Sequence, residues 1–168
     1  NVDPRLDYLQ HLDYRLGQVI DAATAAGYVV MIACDNGSVG SGMGDTTEGG
    51  LNTPLIVVGQ GVPARYSMRM VQATDIGPTI HALRYGSVTS TPDGVSFADE
   101  ICWGFPAPAP RQFVTCTVYP GVGQPPVPGT VTRVVRDRVG FKLVDDAGAW
   151  AMFDLRVDPT EAVNLLAG

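Results

Sequence analysis

The run Tyr28-Val29-Val30-Met31-Ile32-Ala33-Cys34 carries no charge and no helical period, and Asp35-Asn36-Gly37 follows it at once. A short, continuous apolar run bounded by turn residues is the pattern of a strand buried on both faces. Strands of that kind belong to α/β layers, where functional residues gather in the loops that leave the strand ends. Asp35 and Asn36 stand in that position, so they are the first residues to test for chemistry.

The flanking segments extend the α/β reading. Upstream, Leu6, Leu9, Leu12, Leu16, Val19, Ile20 and Ala23 recur at helical spacing and predict one apolar helix face. Asp3 is placed to cap that helix, Pro4 suits its first position, Asp7 favours its positive end, and Gly27 reads as its stop. Downstream, a glycine-rich loop from Gly37 to Gly50 leads into Pro54-Leu55-Ile56-Val57-Val58-Gly59, a second buried strand. Thr74 or Asp75 opens a short helix through Ile76, Ile80 and Leu83 that ends near Gly86, with Pro78 in its first turn.

The texture changes after Ile101. Gly104 to Pro110 is a Pro- and Ala-rich connector, stiff and extended. Beyond it, short strands are expected at 113–119, 131–135, 141–144 and 150–155, separated by turns such as Asp146-Ala147-Gly148. Asp158-Pro159-Thr160-Glu161 has capping-type spacing and starts a terminal helix or turn. The expected organisation is a main α/β portion over residues 1–103 and a small antiparallel β subdomain with its terminal helix over 111–168.

Composition narrows the function. Hydrophobic residues are 45% of the 168 and charged residues 17%, a globular balance too apolar for a disordered tail. A net charge of -6 and a pI near 4.6 argue against nucleic acid or an anionic membrane as partner. Arg133, Arg136 and Arg138 are the one basic cluster, read as a solvated strand edge. No apolar run approaches the roughly 18 residues of a membrane span. Cys34, Cys102 and Cys116 lack metal-type spacing and allow at most one disulfide; Cys34, within the apolar run, is expected as a buried free thiol. Trp103 and Trp150 read as apolar anchors, and His11 and His81 as ordinary helix residues. A start at Asn1-Val2-Asp3-Pro4, directly before a helix, reads as a piece cut from something longer.

Three segments, in order, resemble one family. The apolar strand ending in Asp35-Asn36-Gly37, then Glu48-Gly49-Gly50 and Pro54-Leu55-Ile56-Val57, resembles the sulfatase pattern of Ser-Asp-Asn-Gly, Glu-Gly-Gly and Pro-Leu-Ile-Val. Thr74-Asp75-Ile76-Gly77-Pro78-Thr79 with Asp93-Gly94-Val95-Ser96-Phe97 is similar to that family's Asp-hydrophobe-x-Pro-Thr helix start and its Asp-Gly-x-Ser-Leu. Phe141-Lys142-Leu143, Phe153-Asp154-Leu155, Asp158-Pro159-Thr160-Glu161 and Asn164-Leu165 resemble its ending. The match spans nearly the whole chain and is poorest from Trp103 to Gly129.

The resemblance implies the C-terminal part of an alkaline phosphatase-like α/β sandwich with a small antiparallel C-terminal sheet, in a hydrolase of sulfate esters. It implies Asp35 and Asn36 as two ligands of a divalent cation, calcium in this family. A carboxylate beside an amide oxygen suits a hard cation, which acts as a Lewis acid on the ester. The formylglycine nucleophile arises from a Cys/Ser-x-Pro-x-Arg motif, and Cys34, Cys102 and Cys116 all lack the Pro and Arg offsets. The nucleophile and the remaining ligands are therefore expected in a missing N-terminal portion or a second chain, and this chain alone is expected to be inactive.

Met43 stands about where sulfatases place a sulfate-contacting Lys, and Asp45 adds a repelling charge. That departure keeps two alternatives open: a related phosphodiesterase or phosphonate hydrolase, or a noncatalytic interaction module that kept the fold. Phosphoryl-transfer relatives commonly carry Asp-His-Gly at the strand end, so Asn36 favours the sulfatase. Asp75 and Glu48 are expected to cap helices or pin loops. Gly40-Ser41-Gly42-Met43-Gly44-Asp45 lacks the last glycine of a dinucleotide loop.

Overall fold

The computed structural model describes residues 4–37, 45–87, 93–102, 111–119 and 131–167. Asp3, Met43, the loop 38–44, Trp103 and the connector 104–110 lie outside the described residues. The chain divides into two compact units, Asn1–Ala33 with Pro54–Arg65, and Cys34–Thr53 with Tyr66–Gly168.

In the first unit, helix α1 spans Pro4–Ala25, and strands β1 (Val30–Ala33) and β2 (Leu55–Val58) pair antiparallel with Ile32 opposite Ile56. The helix stops as its sequence predicts. Gly27 takes φ +82°, its N–H donates to Thr24 O at 3.0 Å, and Tyr28 N–H donates to Ala23 O at 3.0 Å. That pair of bonds satisfies the last carbonyls and turns the chain into β1. Gly59 approaches Val29 so closely that a Cβ there would lie 3.0 Å from the Val29 Cα.

Burial in this unit corrects two expectations. Val30, Met31 and Ile32 are half-buried and Ala33 is exposed, not buried on both faces. On α1, Leu16, Ile20 and Ala23 are half-buried, whereas Leu6, Leu9, Leu12 and Val19 are 47–62% exposed.

The second unit holds α2 (Glu48–Leu51), a 3₁₀ turn (Ala73–Asp75), α3 (Ile76–Tyr85), α4 (Ala98–Ile101) and strands β3 (Phe113–Val118), β4 (Thr132–Asp137), β5 (Phe141–Asp146) and β6 (Ala149–Asp154). The four strands form one antiparallel sheet in the order β3-β4-β5-β6. Alternation places Lys142 and Val144 of β5 on the buried face, with Val134 of β4. Ala147 and Gly148 both take positive φ in the two-residue turn joining β5 to β6, the backbone that matches the twist of a hairpin. Gly86 at φ +69° closes α3. Residues 158–167 form turns, so of the helix-or-turn alternatives the turn is observed.

Packing around α3 explains a motif that reads as a helix start. Ala82 of α3, Phe97, and Ala98 and Ile101 of α4 are buried apolar residues, and Thr79 of α3 is fully buried. The Thr79 hydroxyl donates to Asp75 O at 2.6 Å and accepts the Phe97 N–H at 3.0 Å. Trp150, expected as an anchor, is 53% exposed, and among the described residues no helix is long and apolar enough to cross a membrane.

Candidate functional site

Asp35, Asn36 and Gly37 follow β1 after a single residue, Cys34. The Asp35 carboxylate is exposed, and its Oδ1 accepts the Asn36 N–H at 2.9 Å. Asn36 Nδ2 donates to Gly37 O at 2.8 Å, which turns the amide so that nitrogen is engaged and oxygen is the free end. Gly37 N–H donates to Gly50 O at 2.8 Å, tying this turn to Glu48-Gly49-Gly50. A Cβ on Gly37 would lie 1.8 Å from Gly49 O, and one on Gly50 would lie 2.5 Å from Asp45 O. Two backbones touching leave no room for side chains, so both glycines are required by close approach as well as by turn chemistry. Asp45 accepts the Thr47 N–H at 2.9 Å and shapes the same loop.

Among the described residues, no group of three or more His, Cys, Asp or Glu side chains gathers as a metal site. Asp35 and Asn36 offer one carboxylate and one amide oxygen, the donor chemistry of a calcium ligand pair. Calcium takes about 6–8 oxygens, so this pair fits such an ion in kind and would supply only part of its shell.

Two further clusters hold Asp75, Glu48 and Glu161. Asp75 is 1% exposed; its Oδ2 accepts the Gln72 N–H at 2.9 Å, its Oδ1 accepts the Val95 N–H at 2.7 Å, and Arg111 pairs with both oxygens. Asp93 contributes only its backbone carbonyl, which accepts the Thr74 hydroxyl at 2.9 Å. The expectation that Asp75 pins a loop is met, and it pins two.

Lys142 is fully buried. Its ammonium donates to Thr46 O, lies 2.9 Å from Glu161 Oε1 and 3.7 Å from Glu48 Oε1. Glu161 Oε1 also accepts the Glu48 N–H at 2.6 Å, and Arg136 reaches Glu48 Oε2 at 3.4 Å. A lone buried charge is prohibitive, and here each is met by an opposite charge and hydrogen bonds. Burial holds the Cys116 thiol above its ordinary value, an effect that the Lys142 charge partly offsets.

Lys142 and Arg111 were missed in the sequence as structural cations. Period-two alternation through Phe141-Lys142-Leu143-Val144 was the available signal, since it puts Lys142 on the face of Val144. The basic cluster needs dividing: Arg133 is 65% exposed beside Asp145, but Arg136 turns to Glu48 with a buried Nε. Cys34 is exposed, not buried, and all three cysteines are free thiols. His11 is exposed on α1, and the His81 ring meets that of Tyr85 at a 45° tilt with centroids 4.7 Å apart.

No protein-family model and no curated protein matches the chain. Solved structures do. BT4656, determined with its substrate D-glucosamine-2-N,6-O-disulfate, superimposes with TM-score 0.70 at 19% identity, over 95% of this chain and 35% of that one. The phosphonate monoester hydrolase SpPMH from Silicibacter pomeroyi gives TM-score 0.69 at 20% identity, over 89% of this chain and 33% of its own. BT1596, a 2-O GAG sulfatase, gives 0.66 at 20% identity, over 83% and 32%. These structures share with this chain a mixed α/β fold that includes a small four-stranded antiparallel sheet. The chain is thus similar in fold to sulfatases and to a phosphonate monoester hydrolase, and it spans about a third of the length of the structures it matches.

Proposed function

We propose that this chain is the C-terminal part of a sulfatase-type ester hydrolase, in which Asp35 and Asn36 supply two oxygen ligands to a calcium ion. The observation that carries this reading is the contrast among the acidic side chains of the motif segments. Asp75, Glu48 and Glu161 are engaged by internal cations, while Asp35 keeps an exposed carboxylate beside the free amide oxygen of Asn36. Bound calcium would polarise the ester and stabilise the negative charge that gathers on it. Asp35 and Asn36 would hold it, and the Gly37–Gly50 bond would fix the turn that presents them.

The nucleophile, a formylglycine, and the other ligands would come from the rest of the hydrolase, on a preceding segment or a second chain. Leu6, Leu9, Leu12 and Val19 of α1 would then find cover, each worth about 1.5–3 kcal/mol when fully buried. A phosphonate hydrolase is the second reading, supported by the likeness to SpPMH at a TM-score of 0.69. Asn36 weighs toward the sulfatase.

Calcium titration followed by amide NMR tests the ligand pair. Weak, millimolar binding that shifts the amides of residues 35–37 and disappears in Asp35→Ala supports the proposal. Shifts that persist unchanged in Asp35→Ala reject it.

A further inference from the structure

Asn36 and Gly37 form the dipeptide in which an asparagine amide is most open to attack by the next backbone nitrogen, because glycine has no Cβ to hinder the approach. In that reaction the Gly37 nitrogen gives its proton to solvent base and bonds to Asn36 Cγ. The Cγ–Nδ2 bond breaks, and Nδ2 leaves with a proton as ammonia. Water then opens the cyclic imide to aspartate or isoaspartate, with no oxidant or reductant required.

In the folded chain the attacking nitrogen and the leaving nitrogen of that path are both hydrogen-bonded. The Gly37 N–H donates to Gly50 O at 2.8 Å, so the nucleophile is tied to another segment. The leaving Nδ2 donates to Gly37 O at 2.8 Å, and the Asn36 backbone beside it is held by its N–H donating to Asp35 Oδ1 at 2.9 Å. The Gly37 Cα is packed against the Gly49 carbonyl closely enough that one added carbon would lie 1.8 Å from it, so motion of Gly37 toward that carbonyl is blocked. The partner loop is itself anchored, since the Glu48 N–H is bound by Glu161 Oε1 at 2.6 Å.

We propose that Asn36 is a deamidation site which the Gly37–Gly50 backbone clasp keeps closed, so the folded chain retains an amide that the unfolded chain loses. Cyclisation then requires local opening of the clasp, and its rate is scaled by the population of the opened form. The inference goes beyond the hydrolase reading and does not rest on it.

The test compares conversion at Asn36 in neutral buffer and in guanidinium chloride, followed by peptide mass spectrometry and an isoaspartate assay. A native rate more than about tenfold below the unfolded rate is expected for a clasp that opens locally, and any smaller difference overturns the proposal. Gly50→Ala, which drives a Cβ into Asp45 O, should raise native conversion at Asn36 while Asn52 and Asn164 stay intact. A folded Gly50→Ala chain that converts no faster overturns it as well; if that variant does not fold, the wild-type ratio decides.

Discussion

Asp35 and Asp75 both sit in motif segments, and the structure uses them in opposite ways. Asp75 is 1% exposed and accepts two backbone N–H groups while pairing with Arg111, so its oxygens are consumed internally. Asp35 is exposed and accepts one N–H, from its own neighbour. A carboxylate with all of its partners inside the fold contributes stability. One held in place with lone pairs to spare is available to a ligand.

Removing each carboxylate in turn and measuring denaturant unfolding should give the largest difference between the two sites. Asp75→Ala leaves Arg111 and two backbone donors without their partner and should cost about 3–5 kcal/mol. Asp35→Ala should stay within about 0.5 kcal/mol, as for an ordinary surface change. Equal losses would erase the distinction between the two sites.

A smaller effect is expected from coupling in the second internal cluster. A double-mutant cycle on Lys142→Met and Glu161→Gln should return a coupling of about 1–3 kcal/mol, because one ammonium with 0% exposure serves a carboxylate with 6%. Additive losses would mean that Thr46 O and Glu48 satisfy Lys142 without Glu161.

The smallest effect is a pH dependence at the terminal turn. Asp158 is held below its ordinary value of 3.8, chiefly by the Val163 N–H and then by that of Ala162. The unfolded chain therefore binds the proton more readily than the folded one. The turn's contribution is complete above 3.8 and fades as pH falls through the lowered folded value. Asp158→Asn should flatten that acid limb of the stability curve and leave stability near neutrality less dependent on this turn.

Much of the local architecture was legible because each signal is local. Gly27 and Gly86 mark helix ends through left-handed backbone, and the alternating runs after Arg111 mark the four-stranded sheet. Asp35 and Asn36 were visible as candidates through their position after an apolar run. Cys34 was misread because an apolar sequence neighbourhood does not measure cover, which depends on the segments packed around it. Trp150 was misread for the same reason.

Sequence alone indicated α1, α3, the strands, the glycine stops and two candidate residues after β1, since propensity and periodicity act over a few positions; the short helices α2 and α4 carried no such signal. Only the tertiary structure decided which acids are spent. Lys142 meets Glu161 across 19 positions and the Thr46 carbonyl across 96, and Arg111 meets Asp75 across 36. No spacing rule reports such pairs. Burial forces each charge to find an opposite partner, and the fold alone selects which partner comes within reach.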